Sequence, residues 1–240
     1  MSRQIVTILQ LYPRDMNIYG DYGNALVLLR RLQWYGYDAR LIAYNPGDVF
    51  PSDVDIIIGG GGQDSGQDKI QADLLSIGPR LKKLADEDVP MLMICGLYQL
   101  FGKFFETSAG EVLEGIGLLN VETYGKSERL IGNIILESEE FGLIYGYENH
   151  SGQTYLGKLV KPLGQVRMGA GNNSTDNFEG ARYRNVIGSY LHGSLLPKNP
   201  QIADFLIETA VTKKYGSFSD DVIDDSFAFR ARKAAAKRPR

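Results

Sequence analysis

The sequence predicts an α/β fold, with a mostly parallel sheet flanked by helices and an antiparallel extension. Short apolar strands alternate with amphipathic helical segments over the first hundred residues. These strands are apolar along nearly their whole length, which is typical of parallel strands covered on both faces. Between residues 110 and 150, strand-like segments follow one another across glycine-containing turns without a helix between them, which indicates antiparallel pairing.

The elements of the parallel part follow in chain order. Residues 5–9 are apolar and mostly β-branched, and apolar side chains then recur at helical spacing between 25 and 35, before Gly36. Residues 74–87 are predicted to be helical but interrupted at Pro79, because proline has no N–H for the helix interior. Further strands are predicted at 39–44, 54–58 and 91–95.

The second half of the chain supplies the antiparallel extension and one late parallel strand. Residues 118–123 and 133–137 are the strand-like segments of the extension. A strand at 186–191 ends directly before His192, and a helix begins near Pro200. The predicted domain therefore covers residues 1–216.

Composition excludes several classes of function. The 240 residues carry a net charge of −3, with 43% hydrophobic and 23% charged residues, so no general attraction to nucleic acid or anionic membranes is expected. The N-terminus lacks a signal sequence and no apolar run could span a bilayer, so we expect a cytoplasmic protein. One cysteine and two histidines predict neither a disulfide nor a metal site.

The C-terminal tail, residues 217–240, is acidic in its first part and basic in its second. Two interpretations remain open from the sequence. The tail is either a solvated end that frays or a segment that docks on a partner.

Three predicted strands end in unusual residues. A run of four glycines, 59–62, follows one strand, Cys95 ends another, and His192 follows the late strand. The carboxyl ends of parallel strands meet at one edge of the sheet, where ligands bind. If these strands are neighbours, the sequence therefore predicts a site at that edge.

The residue types at this edge suit acyl transfer. Cys95 lies where a strand turns into a helix, which exposes a nucleophile, and His192 can take the thiol proton. A glycine loop lets backbone N–H groups approach an oxyanion, so Gly60 or Gly61, together with Gly96, are the candidate donors. Taken singly, such a cysteine, histidine or glycine run is often only structural. No Gly-Lys-Ser or Gly-Lys-Thr follows the glycines, so a Walker A loop is excluded.

Two segments carry a resemblance to a known family. Residues 94–102, Ile-Cys-Gly-Leu-Tyr-Gln-Leu-Phe-Gly, resemble the nucleophile segment of class I glutamine amidotransferases of the cobyric acid synthase-like branch, and residues 190–193, Tyr-Leu-His-Gly, resemble its histidine segment. Further segments are similar to glutaminase subunits of that branch that work with a Mur ligase-like subunit: 17–24, 129–133, 146–150 and 169–173.

The resemblance implies a reaction and a partner. By resemblance, Cys95 attacks the side-chain amide of L-glutamine, His192 activates the thiol and protonates ammonia, and Arg129 holds the substrate. It also implies a heterodimer, in which a Mur ligase-like subunit binds ATP and metal and amidates D-glutamate of the lipid II stem peptide. No cofactor is expected in this chain.

The sequence departs from the wider class at two places. Gly193 and Ser194 stand where Pro-Glu usually follows the histidine. Either this chain alone is a slow glutaminase with a less well fixed imidazole, or the third carboxylate of a triad comes from elsewhere, including the partner. Leu97 is expected to crowd the pocket beside Cys95. Two other residues are predicted to be structural: Asp21 as a helix cap near the site, and His150.

Other functions remain open from the sequence. The ammonia acceptor of the same glutaminase chemistry could be cobyrinate or another metabolite. A non-catalytic subunit of the same fold is a second alternative, because Leu97 and the missing glutamate could abolish turnover. A cysteine hydrolase or redox sensor would also place a cysteine at a strand-to-helix corner.

Overall fold

The computed structural model of the protein describes residues 4–219 and 222–237. Met1 to Arg3 belong to the N-terminus that is predicted to lack a signal sequence, and they lie outside the described residues. Four charged residues of the tail also lie outside them: Asp220, Asp221, Arg238 and Arg240. Within the described ranges, no helix is both long and apolar enough to cross a membrane.

The first sheet is mostly parallel and has the strand order β11-β12-β4-β3-β1-β2. All neighbouring strands in it are parallel except the edge pair of β11 and β12. The interior strands β3, β4 and β12 are buried along their whole length. The strands of this sheet are β1 (Ile5–Leu11), β2 (Asp38–Tyr44), β3 (Ile56–Gly59), β4 (Met91–Ile94), β11 (Ala181–Tyr183) and β12 (Val186–Ser189).

Helices connect these strands in opposite directions across the sheet. Helix α1 (Tyr22–Trp34) leads from β1 to β2, whereas α2 (Asp64–Asp86) leads from β3 back to β4. Because such crossovers are right-handed, α1 and α2 lie on opposite faces, and the reversal creates a crevice between β1 and β3. The remaining helices are α3 (Gly96–Phe101), a 3-10 turn (Leu196–Lys198), α4 (Pro200–Tyr215) and α5 (Ser226–Ala235).

The predicted interruption at Pro79 is wrong. Helix α2 runs without a break through Pro79 and begins ten residues before the predicted start at 74. A proline removes only one hydrogen bond from the helix, and buried residues on both sides of it, including Leu74 and Leu81, keep the two halves packed on the core.

The predicted extension forms a second sheet of six strands, antiparallel except for one parallel pair, so the predicted α/β class is confirmed and the extension is separate from the parallel sheet. Its centre is the long hairpin of β7 and β8, in which the pairing register shifts between Gly125 and Leu130. The strands of this sheet are β5 (Phe104–Glu106), β6 (Val112–Glu114), β7 (Val121–Ser138), β8 (Gly142–Leu156), β9 (Gly164–Met168) and β10 (Phe178–Glu179).

Two buried contacts join the sheets behind the predicted site. The backbone N–H of His192 donates to the Tyr147 carbonyl on β8 at 2.7 Å. On the other side, the Glu179 carboxylate of β10 accepts hydrogen bonds from the Ser189 hydroxyl and the Tyr190 N–H. The segment that leads to His192 is therefore held by both sheets.

The described part of the tail folds back on the body of the protein. Arg31 of α1, which is almost fully buried, forms ion pairs with Asp204 of α4 and with Asp225 just before α5. Arg232 of α5 donates to the Lys198 carbonyl and to the Gln201 side chain. Helix α5 buries none of its own residues. Docking of this tail on a partner stays a prediction.

Candidate active site

Cys95 lies at the corner between β4 and α3. Its backbone has φ 51° and ψ −105°, a conformation that non-glycine residues rarely adopt, and its side chain is 6% exposed. Two hydrogen bonds hold this corner: the Cys95 N–H donates to the Ser189 carbonyl at 2.8 Å, and the Gln99 N–H donates to the Cys95 carbonyl at 2.9 Å. A strained corner fixed on both sides is the backbone geometry of a nucleophile elbow.

The structure brings Cys95, His192 and the glycine loop together. Strands β3 and β12 flank β4 in register, so their carboxyl ends meet at one edge. A Cβ atom placed on Gly61 would lie 2.8 Å from His192 Cε1 and 3.1 Å from Cys95 Cβ. Only a glycine at position 61 therefore leaves room for the cysteine and the histidine to approach each other.

Asp21 places a carboxylate beside this pair. Its Oδ1 lies 3.7 Å from His192 Nδ1, and its Oδ2 accepts the Gly61 N–H at 2.7 Å. The predicted capping role is wrong, because Asp21 precedes α1 but makes no side-chain hydrogen bond to that helix. Its carboxylate is instead turned to the crevice between β1 and β3, where it can orient the imidazole.

The electrostatics of His192 favour its charged form. The ring is 1% exposed, and neither of its nitrogens makes a hydrogen bond of normal geometry within the described structure. Burial opposes the imidazolium, but the Cys95 thiolate and the Asp21 carboxylate outweigh it and raise the pKa of His192 to about 10.

One of the predicted oxyanion donors, Gly61, is already engaged, whereas donation by Gly60 or Gly96 stays a prediction. Gly61 is not a free donor, because its N–H already donates to Asp21. Gly60 faces the Met16 carbonyl and the Asp21 side chain, and Gly62, not Gly60, lines the pocket beside Cys95. The Gly62 nitrogen lies close to Gly96, where an added Cβ would meet it at 3.2 Å.

Leu97 does not crowd the pocket. Its side chain is fully buried beneath β3, where a Cβ on Gly59 would lie 2.2 Å from Leu97 Cδ1. The expectation that Leu97 narrows the site is therefore wrong: Gly59 leaves the space that this leucine fills in the core.

A pocket of about 350 Å³ opens beside Cys95, at the small end of the range for small-molecule sites. Two buried glutamines form its polar wall. Gln67 donates to the Gln99 side chain at 2.9 Å and to the Gly96 carbonyl at 3.2 Å, and Gln99 donates to the Tyr190 hydroxyl. These bonds fix the amides in one orientation, so the wall is preorganised for a polar ligand.

Arg129 lines the same pocket from the second sheet. It lies within the register shift of β7, between Gly125 and Leu130, and such irregularities can turn a side chain towards a site. Its Nε donates to Asn149 Oδ1 at 2.7 Å and one Nη donates to the Tyr19 hydroxyl at 3.0 Å. A guanidinium held in this way can bind a carboxylate.

His150 is buried at the back of the pocket. Its ring stacks on Tyr190 at 3.6 Å between centroids, and its Nδ1 lies 2.6 Å from the Gly152 carbonyl. Burial lowers the pKa of His150 to about 3, so it is neutral at physiological pH. These contacts favour the structural role predicted for it.

No group of three or more histidine, cysteine, aspartate or glutamate side chains among the described residues could hold a metal ion. The cysteine, histidine and carboxylate instead form a constellation suited to nucleophilic catalysis.

Sequence reasoning missed several residues of this site. Asp21 was assigned to the wrong role, although it lies in the loop after β1, at the same edge as the other groups. Gln99 could have been found from its spacing, because it lies one helical turn after Cys95. Tyr19, Gln67 and Asn149 carry no comparable signal.

The class of protein is given by a shared fold together with a family match in sequence: this chain is a glutamine amidotransferase by sequence family. Solved structures of that class share its fold. A crystal structure of a glutamine amidotransferase is 19% identical in sequence to this chain. The alignment covers 84% of this chain and 98% of that chain, with a TM-score of 0.56. The glutaminase domain of Trypanosoma brucei CTPS is 10% identical. Its alignment covers 92% of this chain and 98% of that domain's chain, with a TM-score of 0.55.

Sequence comparison identifies the particular family. The profile of the CobB/CobQ-like glutamine amidotransferase domain matches residues 7–200, so the chain belongs to this family and the resemblance seen in its motifs is confirmed.

Curated relatives fall into two groups. Lipid II isoglutaminyl synthase (glutamine-hydrolyzing) subunit GatD of Staphylococcus aureus is 38% identical, over 97% of this chain and 96% of the relative. The subunit of the same name from Streptococcus pneumoniae is 39% identical, over 88% and 82%. A probable cobyric acid synthase of Methanothermobacter thermautotrophicus is 34% identical, over 66% of this chain but only 34% of the relative.

Proposed function

We propose that this chain is the glutaminase subunit of a two-subunit amidotransferase that acts on lipid II. It hydrolyses L-glutamine through a thioester on Cys95 and delivers ammonia to a Mur ligase-like, MurT-type subunit. That subunit would bind ATP and metal and convert the D-glutamate of the stem peptide to D-isoglutamine. The observation that carries the proposal is the match over nearly the full length of GatD relatives, combined with a thiol, an imidazole and a carboxylate at one sheet edge.

The geometry supports a sequence of proton and acyl transfers. The Cys95 thiolate attacks the side-chain carbonyl carbon of glutamine, and the N–H groups of Gly62 and Gly96 are the proposed donors to the oxyanion. The His192 imidazolium gives its proton to the departing ammonia, and the thioester remains. His192 then takes a proton from water, which attacks the thioester and releases glutamate. Asp21 orients the imidazole throughout.

The pocket supports glutamine as the substrate. Cys95 and the two amide side chains, Gln67 and Gln99, line its inner part, whereas Arg129 lines its outer part. In the proposed complex, the side-chain amide lies beside Cys95 and the α-carboxylate of free glutamine contacts Arg129. A substrate whose α-carboxylate is blocked by a peptide bond would lose that ion pair.

The length of the relatives favours one arrangement of the glutaminase over another. This chain spans almost the whole of the staphylococcal GatD but about one third of the cobyric acid synthase. A separate glutaminase subunit is therefore better supported than the glutaminase part of a fused synthase. Ammonia is largely protonated in neutral water, so delivery requires the partner to cover the pocket mouth.

Two measurements test the proposal. Ammonia release from L-glutamine is measured with the complex purified through its ligase subunit, for the wild type and for Cys95→Ala, which should lower turnover by at least about 10³-fold. Lipid II amidation by glutamine should fall equally, while amidation by added ammonium should persist.

Other outcomes would contradict the proposal. Turnover that survives in Cys95→Ala would exclude the thioester mechanism. A wild-type complex that releases no ammonia would favour a non-catalytic subunit, and ammonia release without lipid II amidation would favour another acceptor, such as cobyrinate. Labelling of Cys95 by a glutamine-like electrophile, without protection by glutamine, would favour a redox sensor or another hydrolase.

A further inference from the structure

Tyr19 lies between the two parts of the site and contacts both. Its ring packs against the His192 imidazole, with centroids 4.4 Å apart and planes tilted by 57°. Its hydroxyl accepts a hydrogen bond from Arg129 at 3.0 Å. One side chain of the β1–α1 loop thus contacts the proposed base and the proposed substrate anchor, which lie on different sheets.

The loop that carries Tyr19 is tied to the catalytic edge on both sides. The Ile18 N–H donates to the Gly61 carbonyl at 3.1 Å, and the Ser194 hydroxyl donates to the Gly20 carbonyl at 2.8 Å. These bonds connect the loop to the glycine loop and to the segment after His192. The ring is thereby fixed relative to the imidazole that it covers.

We propose that Tyr19 is a positioning residue: its hydroxyl holds the Arg129 guanidinium for the glutamine carboxylate, and its ring confines the His192 imidazole beside Cys95. This inference rests on the proposed glutaminase function. Arg129 is exposed, and Asn149 is its other hydrogen-bond partner among those that the described residues show, so loss of the Tyr19 hydroxyl would leave its long side chain less restricted. Among residues 4–219 and 222–237, none makes a hydrogen bond of normal geometry to the His192 ring, so the packed face of Tyr19 limits its rotation.

The two roles can be separated by two substitutions. Tyr19→Phe removes the hydroxyl and keeps the ring, so KM for glutamine should rise by about three- to tenfold with kcat nearly unchanged. Tyr19→Leu removes both contacts, so kcat should also fall, by about tenfold or more, because the base is no longer held in place. Ammonia release by the purified complex gives both constants.

A double variant tests whether the hydroxyl acts through Arg129. If it does, Tyr19→Phe should raise KM in the wild type but have no further effect in Arg129→Ala. Tyr155 offers a matched control, since it is a partly exposed tyrosine of β8 that packs on Tyr124 away from the pocket. Tyr155→Phe and Tyr155→Leu should leave both constants unchanged.

A binding measurement keeps the test independent of turnover. Glutamine should protect Cys95 of the wild type from iodoacetamide, and the half-protecting concentration should rise in Tyr19→Phe by the same factor as KM. The role of Tyr19 would be overturned if Tyr19→Phe left both KM and the half-protecting glutamine concentration unchanged. It would also be overturned if Tyr19→Phe and Tyr19→Leu lowered kcat equally without changing KM. If glutamine does not protect wild-type Cys95, the proposed function and this inference both fail, whereas normal protection with an unaltered Tyr19→Phe variant removes only the inference.

Discussion

The parallel sheet and the second sheet contribute opposite kinds of residue to the site. At the edge of the parallel sheet, Cys95, His192 and Asp21 are each less than 10% exposed. Cys95 and His192 follow short, buried strands, and Asp21 directly precedes α1. On the second sheet, Arg129 and Asn149 lie on a long hairpin with an irregular register, and Arg129 is exposed. The groups assigned to the reaction are thus buried, whereas Arg129, which is assigned to substrate binding, is exposed to solvent.

This difference predicts that substitutions on the two sheets affect different kinetic constants. Groups that act on the transition state should change kcat, and groups that bind the unreacting end of glutamine should change KM.

The largest effect is expected for Asp21→Asn on the parallel-sheet side. Asparagine keeps an oxygen for the Gly61 N–H but removes the charge that faces His192, so kcat should fall by about 10²- to 10⁴-fold with KM nearly unchanged. Steady-state glutaminase kinetics measure this, with Asp15→Asn in the same loop as the control. A wild-type kcat in Asp21→Asn would mean that another carboxylate, such as one from the partner subunit, completes the triad.

On the second sheet, Arg129→Ala should raise KM for glutamine by about 10- to 100-fold and leave kcat within a few-fold of the wild type. The reason is the loss of a charged hydrogen-bond donor to the α-carboxylate. Arg167→Ala is a suitable control, because Arg167 is an exposed arginine of β9 that pairs with Glu137. A fall in kcat with unchanged KM would contradict the division between the sheets.

Glu179 lies at the junction of the two sheets, and its ionisation should make the stability of the protein depend on pH. Burial raises the pKa of this carboxyl to about 7, although hydrogen bonds from Tyr190 and Ser189 oppose the shift. The folded state therefore binds the proton more tightly than the unfolded state, whose pKa is near 4.5. This contribution to stability is complete below pH 4.5 and is lost as the pH rises to about 7.

The neutral variant Glu179→Gln should remove that pH dependence. Between pH 5 and pH 8, the free energy of unfolding of the wild type should fall by about 2 kcal/mol more than that of the variant. Urea unfolding at the two pH values measures the difference. Parallel pH profiles would show that Glu179 is ionised in the folded protein.

The smallest effect concerns the strained corner of the parallel sheet. Glycine adopts a positive φ without steric cost, so Cys95→Gly should be more stable than Cys95→Ala by about 1 kcal/mol, although both are inactive. Thermal or urea unfolding compares the two variants. Equal stability would mean that the corner stores no strain.

The sequence predicted the parallel-sheet side of this comparison far better than the other side. Cys95 and His192 each follow a short apolar strand, and that local pattern is sufficient to place both residues at one edge. The contact between Asp21 and His192 joins residues 171 positions apart, and no spacing rule connects them. The sequence pattern also gave Pro79 too much weight, because it does not show how firmly the two halves of α2 are packed.

The second sheet was harder to predict, for a physical reason. Arg129 is one exposed arginine among many in the sequence, and only the pairing of β7 with β8 brings it to the pocket. Its position depends on a register shift, which turn residues and alternation of apolar side chains do not reveal. The resemblance to a family, and not the residue pattern, selected it.

The backbone hydrogen bond from His192 to the Tyr147 carbonyl attaches the main chain of the proposed base to the second sheet. His192 follows a strand of one sheet, yet its main chain is fixed to a strand of the other. The same segment is also fixed to the first sheet, because the Ser189 carbonyl of β12 accepts the Cys95 N–H. The separation between base and nucleophile therefore depends on bonds to both sheets, although both groups belong to the first.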